Sequence, residues 1–136
     1  MKGASAALWP CIVHVLFVRR GRMAFIMLTV DELVERAGFS PMNKVKQDDR
    51  PVKSVYCCDL LSAVMGGAPV DAAWVTVMGN INVVAVGALT DVACVIVAGG
   101  AALEARALEK ADEQGVIFLR SDLPVFETAK LVDRYL

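Results

Sequence analysis

The sequence has few of the side chains that most often carry chemistry. Its 136 residues include one histidine, His14, and only 7% of the residues are aromatic. A serine–histidine nucleophile pair or a histidine-ligated metal site would depend on His14, which lies in an apolar N-terminal stretch. The phosphate-binding sequence G-x-x-x-x-G-K-S/T is missing, which excludes a kinase loop of that type. We therefore expect that the protein is not an enzyme.

Excess positive charge is also missing from most of the chain. The 14 basic and 15 acidic residues give a net charge of -1. Four basic residues and no acidic residue lie within residues 1–22, which leaves 10 basic and 15 acidic residues from Met23 onward. A negatively charged domain has no electrostatic footprint for a phosphate backbone, and so few aromatics offer little surface for base stacking. We therefore expect no nucleic-acid partner.

No apolar run is long enough for a membrane span. The run Ala6–Val18 contains Pro10 and is shorter than the ~20 residues that cross a bilayer. Three arginines follow this run, whereas a signal peptide carries its positive charges before its apolar run. We expect neither membrane insertion nor export, and hence a cytoplasmic protein. We expect residues 1–22 to be an extension and residues 23–136 to form the domain; alternatively, the extension is an apolar arm that covers a partner.

The four cysteines show no metal-binding spacing. Cys11, Cys57, Cys58 and Cys94 include no C-x-x-C pair, and two adjacent cysteines do not easily bond to each other. Iron–sulfur clusters use thiolates at spacings such as C-x-x-C. We therefore expect reduced thiols, small and buried at strand ends, and no cofactor. The alternative is that Cys57, Cys58 and Cys94 ligate a cluster together with Cys11.

Short apolar segments alternate with helical patterns along a chain that is 57% hydrophobic. Continuous apolar segments bounded by turns predict buried strands, and spacings of three and four residues predict helices. Right-handed crossovers between such strands predict an α/β fold with a mainly parallel sheet and helices on both faces. The expected strands are 52–58, 73–78, 93–97 and 116–119, and the expected helices are 30–37, 60–67, 103–114 and the C-terminal stretch to residue 136.

Capping residues mark the expected helix ends. The segment Thr29–Glu32 has the form of a capping box, and Gly38 supplies the stop of the same helix. For the last helix, Ser121 or Asp122 is the expected cap, with Pro124 in the first turn. These signals predict where the first and last helices begin.

Two segments are less regular. Residues 39–51 are polar and predict an exposed, mobile connection with a short strand in it. Residues 80–89 fit two structures, because Gly79-Asn80 is a hairpin signal, whereas Gly87 between small residues suits a closely packed helix. Trp74, at the start of a strand, is expected in the core.

One stretch resembles a known family signature. Residues 49–66, DRPVKSVYCCDLLSAVMG, resemble the signature of the DRTGG domain family, which has the form D-R-x-V-T-G-G-Y-V-C-D-L-L-S. The segments AWVTV at 73–77 and NVVAV at 82–86 are also similar to that family. The likeness extends over roughly residues 30–136.

The resemblance implies a fold like the N-terminal domain of HPr kinase/phosphorylase, and a regulatory or interaction module rather than a catalytic part. Domains of this family also occur beside CBS domains in some pyrophosphatases and in phosphotransacetylases, and standalone members are often encoded near iron hydrogenase subunits. The resemblance implies a helix for residues 80–89. Lys53–Val55 stands at the Thr-Gly-Gly positions, so a ligand contact that needed those glycines is not carried over.

Polar residues and glycines follow three of the expected strands. The carboxyl ends of parallel strands meet at one edge, where ligands bind beside helix N-termini. We therefore predict a site for a small anionic ligand there. The simpler interpretation makes Asp59 a helix cap and Asn80 a turn residue. The candidate residues are Asp59, Ser62, Asn80, Asn82, Gly99 and Gly100.

We expect a non-catalytic regulatory or protein-interaction module that senses a small phosphorylated or nucleotide ligand. It is expected to form a homodimer or to join a larger complex through its sheet edge or helices. Asp49 and Arg50 are the candidate partner contacts, and the simpler interpretation of both is a solvated charge. The alternative function is a redox or iron–sulfur accessory protein associated with a hydrogenase.

Overall fold

The structure, a computed structural model, describes residues 27–46 and 49–136. The predictions made for residues 1–22 lie outside the described residues, and the domain boundary at Met23 stays a prediction. The described chain contains five helices and five strands, which alternate from β2 onward. In order they are α1 (Val30–Ala37), β1 (Ser40–Pro41), β2 (Ser54–Cys57), α2 (Leu61–Gly67), β3 (Ala72–Thr76), α3 (Ile81–Thr90), β4 (Cys94–Val97), α4 (Ala105–Gln114), β5 (Phe118–Arg120) and α5 (Val125–Asp133).

The strands form one sheet in the order β1-β5-β4-β3-β2. Strands β2 to β5 are parallel, and the two-residue strand β1 pairs with β5 in the antiparallel direction. Tyr56 lies opposite Trp74, and Trp74 lies opposite Val95, so β2, β3 and β4 are in close register. The predicted α/β fold with a mainly parallel sheet is confirmed.

Successive strand residues point to opposite faces of the sheet, and both faces are covered. Ala73 and Val75 of β3 pack into a core with Leu33 of α1 and Val132 of α5. Trp74, which is fully buried, packs on the other face with residues of α2, α3 and α4 such as Val83. The helices therefore lie on both faces, as predicted, and Trp74 is a core residue.

The helix ends follow the sequence in part. Thr29 and Glu32 form the expected capping box, and Gly38 ends α1 in a left-handed conformation. Residues 81–90 are helical, and the side chain of Asn80 caps this helix by accepting hydrogen bonds from the amides of Asn82 and Val83. The hairpin signal was therefore wrong, because the Asn80 amide oxygen takes up the free amides that begin a helix.

The prediction for the start of the last helix was wrong. The N-cap of α5 is Pro124, not Ser121 or Asp122, and no side chain of the described residues caps this helix. The Ser121 hydroxyl is buried instead against the Thr128 hydroxyl at 2.8 Å. The connection at 39–51 contains the predicted short strand, although its first residue, Phe39, is buried in the core.

Within residues 27–46 and 49–136, no helix combines the length and the apolar character that a membrane span requires.

Candidate functional site

The candidate residues gather at the carboxyl edge of the sheet, meaning the edge formed by the residues that follow β2, β3, β4 and β5. Asp59 lies there after β2, Asn80 after β3, and Gly99-Gly100 after β4. Each of these residues lies in the turn that follows its strand. The topology therefore brings together the polar residues that the sequence singled out, behind three neighbouring strands.

Asp59 links the ends of two strands. Its Oδ1 atom accepts hydrogen bonds from the Thr76 hydroxyl at 2.6 Å and from the Val77 amide at 3.0 Å. The N-cap of α2 is Leu60, without a side-chain cap, so the simpler interpretation of Asp59 as a helix cap was wrong. Asp59 is exposed, and its Oδ2 atom accepts no hydrogen bond from the described residues. This leaves one carboxylate oxygen free to accept a hydrogen bond from a ligand.

Two of the other candidate groups are already used within the fold. Gly99 and Gly100 both have positive φ, and their amides donate to the carbonyls of Leu123 at 2.7 Å and Ser121 at 3.0 Å. The Asn80 side chain is used as the cap of α3. An anion at this edge would therefore not be held by these amides as a phosphate is held in a glycine-rich loop.

Ser62 and Asn82 lie in the first turns of α2 and α3, and both residues are exposed. Neither side chain takes part in a hydrogen bond within the described chain, so both remain open to a ligand at the carboxyl edge.

Arg120 is a residue that the sequence analysis missed at this edge. It ends β5, and its Nε atom donates to Asp122 at 3.2 Å. Its Nη2 atom lies 3.6 Å from the position that a Cβ atom would take at Gly100, so the guanidinium group lies over that glycine. The strand was expected to end at residue 119, one residue too early. Had strand-end residues been compared for charge, Arg120 would have been found as the cation of this edge.

The backbone closes tightly around the middle of the carboxyl edge. Gly79 follows β3, and its carbonyl accepts a hydrogen bond from the Glu104 amide at 2.9 Å. A Cβ atom at Gly79 would collide with the carbonyl oxygen of Ala102 and would lie 2.9 Å from the Cα atom of Leu103. The loops after β3 and β4 therefore pack backbone to backbone, which requires glycine here.

The opposite edge, called the amino edge because the strands begin there, contains Arg50. Arg50 contacts the carboxylates of Asp71 at 2.9 Å and Asp91 at 3.0 Å, and Lys53 contacts Asp71 at 2.7 Å. These contacts tie Arg50 into its own chain, whereas Asp49 is exposed beside it. Binding of a partner by Asp49 and Arg50 stays a prediction.

Both aspartates of this network have left-handed backbone conformations, with φ of 62° at Asp71 and 53° at Asp91. The hydrogen bond from Lys53 is the main cause that lowers the pKa of Asp71 below its ordinary value of 3.8, with Arg50 acting in the same direction. Lys53 stands where the family signature has threonine. The lysine at this position forms an ion pair with Asp71.

The cysteines occupy different environments. Cys94 is buried, and burial raises its pKa to about 12, whereas Cys57 is exposed and Cys58 is intermediate. The expectation of small buried residues therefore holds for Cys94 and is wrong for Cys57. Partial burial and then the charge of Asp59 raise the pKa of the Cys57 thiol. Within the described part of the chain, no three metal-ligating side chains of the His, Cys, Asp and Glu types come together. Cluster ligation stays a prediction.

A shallow groove runs along α5 from Leu123, whose carbonyl accepts the hydrogen bond from the Gly99 amide. It has a volume of about 260 Å³ and is lined by Leu123, Glu127, Lys130, Leu131 and Arg134. Its two cations are one helical turn apart, with an acidic residue beside them. Like the carboxyl edge, the groove presents positive side chains, but these belong to α5 and its C-cap rather than to the ends of strands.

The sequence matches no family model, and no curated protein matches it either. Among solved structures, the chain is similar to the crystal structure of the CBS and DRTGG domains of the regulatory region of Clostridium perfringens pyrophosphatase, complexed with its activator diadenosine tetraphosphate. The TM-score is 0.69 at 12% sequence identity, and the match covers 97% of this chain. The chain spans 56% of the length of that neighbour. The likeness confirms the predicted DRTGG-like α/β fold.

Proposed function

We propose that the protein is a non-catalytic regulatory module that binds a nucleoside polyphosphate at the carboxyl edge of its sheet. The observation that carries the proposal is the fold shared over 97% of this chain with a regulatory region that was crystallised with diadenosine tetraphosphate. Parallel sheets bind ligands at the carboxyl ends of their strands, which is where the candidate residues lie.

The charges of this edge suit the two ends of a nucleotide. Arg120 presents guanidinium N–H groups beyond the one bound to Asp122, and arginine is well suited to phosphate oxygens. The free Oδ2 atom of Asp59 accepts hydrogen bonds, as a ribose hydroxyl requires. Asp59 follows β2 and Arg120 ends β5, so three strand spacings, about 14 Å, separate them. An extended polyphosphate fits this separation better than a single phosphate ion.

The proposal assigns binding and no reaction to these residues. Asp59 is held in place by Thr76 and Val77, and the raised pKa of Cys57 keeps its thiol protonated at neutral pH. A ligand that bridges four strands would instead stiffen the edge and change what the rest of the surface presents to a partner. A cytoplasmic location and an association with a hydrogenase remain predictions.

The test is thermal unfolding of the full chain with diadenosine tetraphosphate, ATP, AMP or inorganic phosphate. A ligand that binds only the folded state stabilises it by about 2.7 kcal/mol at a concentration of 100 times its Kd. We expect Tm to rise with the polyphosphates, to rise less with AMP and to stay unchanged with inorganic phosphate. A Tm that none of these compounds changes contradicts the proposal.

Two variants locate the binding site, and a third serves as control. Arg120→Ala removes the phosphate contact, and Asp59→Asn removes the negative charge while keeping an oxygen that can accept from Thr76 and Val77. Both variants should lose most of the ligand-induced rise in Tm. Lys130→Ala removes a cation from the α5 groove and should keep the full rise. A rise that is lost in Lys130→Ala and kept in the other two variants would place the ligand in the groove.

A further inference from the structure

The outer surface of helices α2 and α3 is apolar and exposed. Both helices begin at the carboxyl edge, end at the amino edge and pack beside each other on the Trp74 face of the sheet. We name this surface the α2–α3 face and define it by its large exposed apolar residues. They are Leu60, Met65, Val70, Ile81 and Leu89.

The α2–α3 face carries no charge. Between Leu60 and Thr90 the only charged residue is Asp71, which is 13% exposed and paired at the amino edge. The neighbouring helix α4 differs, because it exposes Arg106, Glu109 and Glu113 to solvent. A soluble surface helix ordinarily keeps polar residues on its outer side, as α4 does. The absence of charge is therefore local to α2 and α3.

Packing within residues 27–46 and 49–136 does not account for the outer side of α3. Its inner side is fully used, since Val83, Val84 and Gly87 are buried. Its outer side nevertheless carries Leu89, which is 72% exposed, along with Ile81 and two exposed alanines. A helix that is apolar on all sides is characteristic of one covered on all sides, and contiguous exposed apolar patches mark interaction surfaces.

We propose that the α2–α3 face is the interface of a symmetric homodimer. In a two-fold interface each surface meets its own copy, so any charge on it faces a like charge. Within this face two copies bring no like charges together; the exposed Asp59 and Asp91 lie just outside it in sequence, and the domain from Met23 onward carries 15 acidic and 10 basic residues. The uncharged apolar face of this negatively charged domain is thus best covered by the same face of a second copy.

The size of the face fits the centre of such an interface. Helix α3 is about 15 Å long, and two packed helices are about 20 Å wide. A stable interface buries about 800 Å² per partner and has an apolar centre inside a polar rim. Exposed Ser62 and Asn82 lie at one end of the face and supply polar groups for that rim.

The chain's own N-terminal residues are the other candidate to cover the face, through the uncharged apolar run Ala6–Val18. The four basic side chains that flank this run would find no acidic side chain among the residues of the α2–α3 face. A partner with a strongly charged surface is disfavoured for the same reason, because its charges would lose water without gaining a counter-charge.

The test is sedimentation equilibrium of the full chain and of two matched variants. Leu89 on α3 and Phe126 on α5 are 72% and 71% exposed, and they lie on opposite faces of the sheet. We expect a wild-type dimer at micromolar concentration. Leu89→Lys places two like charges in the interface and should raise the dimer dissociation constant on the order of 100-fold. Phe126→Lys adds the same charge elsewhere and should leave the dimer unchanged.

A photo-crosslinking residue at Ala85, in the middle of the face, identifies what covers it. Crosslinks to α2 or α3 of a second copy support the proposal. A monomeric wild type, a dimer that survives Leu89→Lys, or crosslinks only to residues 1–26 of the same chain would each overturn it. Circular dichroism of the Leu89→Lys variant checks its fold, and Met65→Lys, on the other helix, repeats the test if that variant misfolds.

Discussion

The two edges of the parallel sheet are stabilised by different chemistry. At the amino edge, Arg50 and Lys53 neutralise Asp71, and Arg50 also reaches Asp91, so every charge of this network has its counter-charge within the chain. At the carboxyl edge, contacts are made mainly by backbone groups, as between Gly79 and Glu104. The charged side chains of that edge keep unused hydrogen-bonding groups.

The two edges thus differ in the role of their charged side chains, which hold the fold together at one edge and can still bind a ligand at the other. The aspartate and arginine of the family signature lie at the amino edge, where the arginine holds together the turns before β3 and β4. The groups with free capacity, Asp59 and Arg120, lie at the other edge. Recognition of a ligand is therefore expected where charged groups keep free hydrogen-bonding capacity, and stability where ion pairs use that capacity.

The largest effect is expected from Gly79→Ala at the carboxyl edge. The new Cβ atom would overlap the backbone of Ala102 and Leu103, which cannot move aside as a flexible side chain does. We expect a loss of about 3 kcal/mol in the free energy of unfolding, measured by urea denaturation. Since the cause is steric, the loss should be the same in low and high salt. Gly66→Ala, where nothing lies within 4 Å of the new Cβ atom, is the matched control.

A smaller effect is expected from Arg50→Ala at the amino edge. The substitution leaves Asp71 with Lys53 alone and removes the hydrogen bond to the Asp91 carbonyl at 2.8 Å. We expect a loss of about 2 kcal/mol in the free energy of unfolding, measured by urea denaturation. The loss is smaller than for a fully buried ion pair because Arg50 is partly exposed. Unlike the loss in Gly79→Ala, this loss should shrink in high salt. Equal salt dependence of the two variants would remove the contrast between the edges.

The smallest effect is the acid dependence of the amino edge. The pKa of Asp71 is lower in the folded chain than its ordinary value of 3.8, so the carboxylate stabilises the fold above that value. This contribution is lost as the pH falls through the lower, folded pKa. Urea midpoints measured from about pH 5 to about pH 2 should therefore fall less steeply in Asp71→Asn than in the wild type. Asp49→Asn, at an exposed neighbour of Arg50, should follow the wild-type curve.

The local features of the fold could be predicted from the sequence. The capping box at Thr29 and the helix stop at Gly38 involve residues within a few positions of each other, so their spacing shows them. Alternation of apolar strands and helices predicted the parallel sheet. The helix from Ile81 was the exception, because its hairpin signal was equally local and the family resemblance was needed to decide it.

The roles of individual side chains could not be predicted in the same way. The partners of Asp59 lie 17 and 18 residues along the chain, and Arg50 reaches Asp91 across 41 residues. Such contacts depend on which strands are neighbours, which the spacing of residues does not show. The same applies to Ser121, whose hydroxyl found Thr128 within the core instead of the amides of α5.

The short strand β1 has a consequence for assembly. It ends in Pro41, whose nitrogen carries no hydrogen, so the outer side of β1 is a poor template for another strand. Among the described strands, β2 is the other margin of the sheet. Two molecules could pair through their β2 strands, but the resulting sheet would have a β1 strand at each margin and could not extend further. Pro41 thus disfavours the repeated strand-by-strand association of molecules from which fibrils grow.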